Sequence, residues 1–107
     1  MSKSSTTIKA GENRLPPVHP GSVLADELGE RDLSASALAR ALGVPVTRVT
    51  DVLNARRGVT ADTALRLARY FGGSANFWLN LQQSYDLKVA QAAIGKTVLR
   101  RIIPAAA

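Results

Sequence analysis

The sequence predicts an all-α fold, and three observations lead to that prediction. Apolar residues recur at helical spacing in several stretches of the chain. Serine, threonine, glycine and proline stand where these helices would begin and end. Residues 34–57 also hold two short helical patterns that are separated by a tight turn, which is typical of a helix-turn-helix.

Length and composition limit what the chain can be. Its 107 residues suffice for one domain, and a net charge of +6 favours a polyanion as its partner. The absence of cysteine excludes a disulfide framework and thiolate chemistry, as expected in a reducing compartment. Without a membrane-spanning apolar run or the apolar core of a signal peptide, we expect a cytoplasmic protein that does not contact a membrane.

The positive charge is concentrated in and after the helix-turn-helix. Residues 20–35 hold four acidic residues against one arginine, a balance of −3, whereas residues 36–73 hold six arginines against two aspartates, a balance of +4. A basic surface without a partner is one interpretation. Nucleic-acid binding is the more specific interpretation. Basic side chains that neutralise phosphates release the counterions of the nucleic acid, and this release favours binding.

Residues 1–17 are predicted to be a flexible arm, because they hold few large apolar side chains and end in two prolines. The first helix should begin near His19 and Pro20 and bury Leu24 and Leu28. His19 is the only histidine, so capping or packing is a more natural role than metal binding. The acidic face of this helix would repel phosphate and should point away from DNA.

The helix-turn-helix has recognisable ends and a recognisable crossing point. Ser34 is predicted to cap its first helix, and Gly43 supplies the positive φ that ends it. Pro45 is placed in the first turn of the second helix. Ala39 is small enough for a close helix crossing, Gly43 follows it by four residues, and Val49, six residues further, is the branched side chain that should point back from the second helix. By its period alone, the second helix buries Val46 or Val49 together with Val52 and Leu53.

Two further helices are predicted. Thr60 should cap a fourth helix that ends at Phe71 and buries Leu65, Leu67, Ala68 and Phe71, and Ser74 should cap a fifth. The fifth helix carries an apolar stripe that we interpret as core: Phe77, Trp78, Leu81, Tyr85 and Val89. Residues 94–103 fit a helix or a strand. We interpret residues 91–107 as a dimerisation or partner-binding extension, and a simple cover for the core is the alternative.

The order of these motifs resembles the HigA antitoxins, in the VapI-like branch of the Xre repressors. The resemblance covers about residues 18–90 and depends on the following segments: His19-Pro20-Gly21, LSASALARALGVPVTRVTDVLNARR, Thr60 to Ala68, FWLNLQ at 77–82 and Tyr85-Asp86-Leu87. It implies a five-helix, lambda-repressor-like DNA-binding domain, homodimerisation, binding to its own operator and neutralisation of a HigB-like mRNA-cleaving toxin. Pro45 replaces a usual Ser or Thr cap, and Ala55 replaces a commoner glycine.

The second helix of the motif is expected to enter the major groove. Arg48 is the candidate for guanine, and Thr47 and Thr50 can bond to a base or a phosphate. Val46, if it points outward, would pack on a thymine methyl. Asp51 either accepts a hydrogen bond from cytosine or pairs with Arg48 or with a loop arginine.

Phosphate contacts are predicted at three other residues: Arg56, Arg57 and Thr60 at the start of the fourth helix. Because one such helix reads too few bases, we expect a dimer on an inverted repeat. A stand-alone repressor without a toxin partner is the alternative function. The chain offers no nucleophile and base pair and no metal site, so we expect no enzymatic activity, no cofactor and no metal.

Overall fold

Five α-helices form the part of the chain that the structure, a computed structural model, describes, which is residues 15–106. They are α1 (Pro20–Glu30), α2 (Ala35–Leu42), α3 (Val46–Leu53), α4 (Ala61–Phe71) and α5 (Ala75–Arg101). With no strand in these residues, the predicted all-α fold of five helices is confirmed. None of the described helices combines the length and the apolar character needed to cross a membrane. The predicted arm lies almost wholly outside the described residues.

Serine or threonine hydroxyls cap three of the helices, as the sequence predicts. Ser34 Oγ accepts a hydrogen bond from the Ala37 N–H at 3.1 Å. Ser74 Oγ accepts from the Phe77 N–H at 3.2 Å, and Thr60 Oγ1 accepts from the Thr63 N–H at 3.4 Å. Each bond satisfies a backbone donor that the first turn of a helix leaves free, so these boundaries follow from local chemistry.

The turn between α2 and α3 confirms one prediction and corrects another. Gly43 ends α2 with φ of +72°, a conformation that a residue without Cβ adopts at little cost. Pro45 was expected in the first turn of α3 but is the residue before it, in extended conformation. Proline offers no side-chain acceptor, so α3 begins without a side-chain cap.

The crossing of α2 and α3 resolves which valine points inward. Val49 is 3% exposed and Val46 is 42% exposed, so Val49 packs against α2 and Val46 faces outward. Ala39 lies at the crossing and is itself buried. This small side chain allows α2 and α3 to approach closely, as the spacing of Ala39, Gly43 and Val49 predicts.

The start of α1 is held closely against α3. His19 Nδ1 accepts a hydrogen bond from the Gly21 N–H at 2.9 Å, and the histidine ring packs edge-on against Tyr85. These contacts confirm the capping and packing role predicted for His19. A Cβ on Gly21 would overlap the carbonyl oxygen of Val52, so glycine is required by the approach of the two helices.

The core lies between all five helices, and the prediction for α4 needs a correction. The buried apolar residues are Leu24, Leu28, Leu38, Ala39, Leu42, Val49, Val52, Val59, Ala64, Leu67 and Trp78. Leu65 was predicted to be buried, but it is 64% exposed, and Thr63 and Ala64 are buried in its place. The inward face of α4 is set by its packing against α2 and α5, which rotates Leu65 outward.

The apolar stripe predicted for α5 is only partly buried. Trp78 is buried as predicted, whereas Phe77 and Val89 were expected in the core and are exposed. Phe77 instead packs edge-on against the Trp78 ring, with centroids 5.2 Å apart. The helix continues past the core, and for this reason side chains beyond Tyr85 are mostly exposed.

The C-terminal segment is helical as far as Arg101, which settles the choice between helix and strand. Gly95 interrupts this helix with φ of +73° and ψ of 164°, a conformation that favours glycine. Because α5 extends to Arg101, the predicted boundary between residues 90 and 91 falls inside this helix. Apolar side chains beyond Gly95 are exposed: Val98, Leu99, Ile102 and Ile103. The assignment of this segment to dimerisation or partner binding stays a prediction.

Candidate nucleic-acid interface

The outer face of α3 presents most of the residues that were predicted to read bases. Val46 and Thr47 are exposed, and Arg48 and Thr50 are half-buried. Val49 and Val52 lie on the opposite face and hold the helix against the core. α3 is therefore a short rod with an apolar inner face and a mixed outer face of apolar, hydroxyl and guanidinium groups.

Arg48 is held by an acidic residue of another helix. Its Nη1 donates a hydrogen bond to Oδ1 of Asp62 at 2.8 Å, and Asp62 lies in the first turn of α4. The Asp62 side chain is 58% exposed and that of Arg48 is 30% exposed. The pair therefore lies at the surface and joins the predicted base-reading helix to the start of α4.

Asp62 is in turn fixed by a second arginine. Arg66 Nε donates to the same Oδ1 at 2.7 Å, and Arg66 Nη1 donates to the carbonyl oxygen of Leu42 at 2.7 Å. The hydrogen bond from Arg66, followed by that from Arg48, lowers the pKa of Asp62 below its ordinary value. The chain of contacts thus connects the end of α2, the start of α4 and the exposed face of α3.

Thr50 uses its hydroxyl within α3. Thr50 Oγ1 donates to the carbonyl oxygen of Thr47 at 3.3 Å. An oxygen that donates in this way still has lone pairs that accept hydrogen bonds. Thr50 is therefore best suited to accept from a base amino group, whereas the exposed Thr47 hydroxyl is able to donate to a phosphate or a base.

Asp51 pairs with the loop that follows α3 and not with Arg48. Its carboxylate lies 3.7 Å from Arg56 Nη1 and 3.9 Å from Arg57 Nη2, and its backbone carbonyl accepts from the N–H groups of both arginines. Of the alternatives for Asp51, the pair with a loop arginine is thus present in the free chain. Its contact with cytosine stays a prediction.

The basic loop presents two arginines to solvent. The side chains of Arg56 and Arg57 are 71% and 45% exposed, and their long contacts with Asp51 leave them free to move toward phosphates. Ala55, just before them, has φ of +59°, in the region that glycine adopts more readily than alanine. A glycine at this position would adopt the same conformation at a lower cost.

A glutamine of α5 fixes the far side of the same loop, and sequence reasoning did not assign it a role. Gln82 Oε1 accepts from the Val59 N–H at 2.7 Å, and Gln82 Nε2 donates to Asp86 Oδ1 at 2.9 Å. Its side chain fills the space beside Gly58 where a Cβ would lie. The sequence offers one indication of this role. Gln82 is a polar residue directly after the partly buried Leu81, within the FWLNLQ segment that carries the family resemblance.

Thr60 lies where a phosphate contact was predicted. Its hydroxyl caps α4, so the positive end of the α4 dipole lies beside the basic loop. Asp62 adds a negative charge in the same turn and pairs there with Arg48 and Arg66. Across residues 15–106 the structure contains no group of three metal-ligating side chains close enough to hold an ion.

Comparison with protein families gives one match over more than half of the chain. A helix-turn-helix family model matches residues 24–78, which run from the middle of α1 to the start of α5. Virulence-associated protein I of Dichelobacter nodosus is 50% identical to the chain over 99 residues, and the match covers 92% of this chain and 90% of that protein.

Two solved structures share the fold and about half of the aligned sequence. An addiction module antidote protein of a HigA family from Coxiella burnetii superposes with a TM-score of 0.82 at 50% identity, covering 85% of this chain and 100% of that chain. The Pseudomonas aeruginosa antitoxin HigA, solved with higBA promoter, gives a TM-score of 0.79 at 52% identity, covering 82% of this chain and 97% of that chain.

Proposed function

The chain belongs to the helix-turn-helix family, among its HigA antitoxins, and on this premise we propose that it represses its own operon and neutralises a toxin. As a homodimer it binds a palindromic operator, and it binds a HigB-like mRNA-cleaving toxin directly. The observation that carries the DNA-binding part is the exposed face of α3, with Val46, Thr47 and Arg48 outward. A relative of 52% identity that was solved with promoter DNA supports it.

DNA recognition divides between two sets of residues. Arg48 donates to guanine O6 and N7, Val46 packs on a thymine methyl, and Thr47, Thr50 and Asp51 contact neighbouring bases. Arg56, Arg57 and the start of α4 at Thr60 bind phosphates and set the register of the helix without reading sequence. The loop is suited to this role because Gln82 anchors its backbone while the arginine side chains remain exposed.

Dimerisation follows from the few bases that one α3 can reach. Two copies related by a twofold axis would read half-sites about 34 Å apart, which is one turn of B-DNA. The exposed apolar residues of the C-terminal segment, Val98, Leu99, Ile102 and Ile103, supply the surface that a second copy would cover. Such a dimer acts in the cytoplasm, where its DNA and a messenger-RNA-cleaving toxin are both present.

DNase footprinting on the region upstream of the gene tests the repressor role. We expect protection of an inverted repeat whose half-sites lie one helical turn apart. The molecular mass of the protein in solution should correspond to two copies of the chain. Protection of a single half-site by a monomer would contradict the dimer, and absence of any protected sequence would contradict the repressor.

Co-expression with the neighbouring gene tests the antitoxin role. If that gene encodes a small basic toxin, the two products should co-purify, and growth inhibition by the toxin should disappear when this chain is present. A chain that protects its operator but captures no neighbouring product would instead be a stand-alone repressor.

A further inference from the structure

The contact between Arg48 and Asp62 does more than join two helices. One nitrogen of the guanidinium, Nη1, is held at 2.8 Å by Asp62, while Nε and Nη2 make no hydrogen bond to any residue between 15 and 106. A guanidinium has five N–H donors in a planar fork, so holding one end orients the free edge. The free edge formed by Nε and Nη2 has the spacing that matches guanine O6 and N7.

Asp62 is well placed to orient another side chain, because it is itself immobilised. Arg66 binds the same carboxylate oxygen at 2.7 Å and is anchored on the Leu42 carbonyl, so Asp62 is fixed relative to the helix-turn-helix. An ion pair as exposed as this one contributes little to folding stability. The pair of Arg48 and Asp62 should therefore affect DNA binding more than folding stability.

The location of the carboxylate also has a cost for DNA binding. Asp62 follows Thr60 by two residues and lies in the turn where phosphate binding is predicted. A negative charge there lowers the affinity for any DNA, whatever its sequence. It also competes with phosphates for Arg48, which would otherwise bind the nearest backbone oxygen on a non-operator site.

We propose that Asp62 is a specificity-determining positioning residue, which directs Arg48 at a guanine and prevents it from serving as a general phosphate contact. On operator DNA the free edge of Arg48 meets its guanine while Asp62 keeps Nη1. On other DNA that pair must break before Arg48 reaches a phosphate. The inference rests on the proposed repressor function and adds a residue that does not itself touch the base.

The test compares Asp62→Asn with the wild-type chain by fluorescence anisotropy on two duplexes at one salt concentration. One duplex carries the operator defined by footprinting, and the other carries the same bases scrambled. We expect Asp62→Asn to bind the scrambled duplex about fivefold more tightly. Operator affinity should change little, because the lost orientation of Arg48 offsets the removed charge, so that specificity falls. Asp26→Asn removes the same charge from an exposed site on α1 and should leave the ratio of the two affinities unchanged.

Two further measurements separate positioning from simple electrostatics. Replacing the guanine read by Arg48 should lower the operator affinity of the wild-type chain, and this loss of affinity is the penalty. The penalty should shrink in Asp62→Asn and recover partly in Asp62→Glu, which restores the charge. In an Arg48→Ala background, Asp62→Asn should no longer alter that penalty. An unchanged penalty in the single variant, or an equal change with Arg48 absent, would overturn the proposal.

Binding of the wild-type chain to the two duplexes distinguishes a wrong role for Asp62 from a wrong repressor function. If the wild-type chain binds both duplexes equally, the repressor function is wrong and the role of Asp62 is wrong with it. If the wild-type chain prefers its operator and Asp62→Asn retains the full preference, only the role of Asp62 is wrong.

Discussion

The side-chain carbonyl of Gln82 accepts a hydrogen bond from the backbone N–H of Val59 at 2.7 Å, across 23 positions of sequence. Val59 is almost completely buried, so water has little access to this donor. The contact joins the C-terminal helix to the loop that carries Arg56 and Arg57. Through it, α5 holds the backbone of the loop that carries the predicted phosphate contacts.

Gln82→Ala should lower the free energy of unfolding by about 1 to 3 kcal/mol, because it leaves the Val59 N–H buried without an acceptor. Urea denaturation monitored by circular dichroism measures this change. Gln83→Ala is the matched control, since Gln83 is an exposed neighbour on the same helix and should change stability very little. Equal midpoints for the two variants would show that the contact with Val59 is dispensable.

Arg48→Ala should weaken operator binding by about 1 to 3 kcal/mol and relax the preference at one base position. The reason is the loss of a side chain that donates two hydrogen bonds to one guanine. Binding to a set of duplexes, each with one substituted base pair, measures the preference. If the variant ranks all of these duplexes as the wild-type chain does, Arg48 does not read a base.

Arg57→Ala should weaken binding to operator and scrambled DNA alike, because a phosphate contact is independent of sequence. The dependence of log K on log salt should become shallower by about one unit. A salt titration by anisotropy measures this slope. A slope equal to that of the wild-type chain would remove Arg57 from the phosphate contacts.

Ala55→Gly should stabilise the chain by about 1 kcal/mol, since Ala55 has φ of +59°, a conformation in which its Cβ is crowded. The gain is reduced by the greater freedom of glycine in the unfolded chain. Thermal denaturation shows whether Ala55→Gly raises or lowers the stability of the chain. Ala25→Gly on the exposed face of α1 should have the opposite sign, costing about 1 kcal/mol, because glycine is a poor helix former. Destabilisation by both variants would contradict the expected strain at Ala55.

Asp62 should titrate below the range of an ordinary aspartate, because Arg66 and Arg48 both bind its carboxylate and lower its pKa. Since the folded-state pKa is the lower one, the stabilising contribution of this group is present above the unfolded-state pKa and is lost as the pH falls through the folded-state pKa. Carboxyl carbon shifts followed by NMR measure the midpoint. Arg66→Ala should raise it more than Arg48→Ala, because the hydrogen bond from Arg66 has the larger effect. The reverse order would contradict this ranking.

The sequence predicted those features of the fold that short stretches of chain decide. Ser34, Thr60 and Ser74 cap their helices because each accepts a bond from a backbone N–H only three residues away. Gly43 ends α2 because its own backbone adopts a positive φ. The outward direction of the predicted reading face follows similarly from the period of α3, although the period alone left Val46 and Val49 equivalent.

Tertiary packing decided the rest. Leu65 and Phe77 fit an apolar helical stripe, yet the angle at which each helix meets its neighbours turned them toward solvent. Asp62 lies 14 residues from Arg48, and Gln82 lies 23 residues from Val59, so neither contact is visible in any local pattern. The sequence by itself thus determined the capped starts of α2, α4 and α5, the end of α2 at Gly43 and that α3 carries the candidate reading residues. Only the folded arrangement determined which acid holds Arg48 and what anchors the basic loop, because such contacts depend on distances in space that sequence separation does not report.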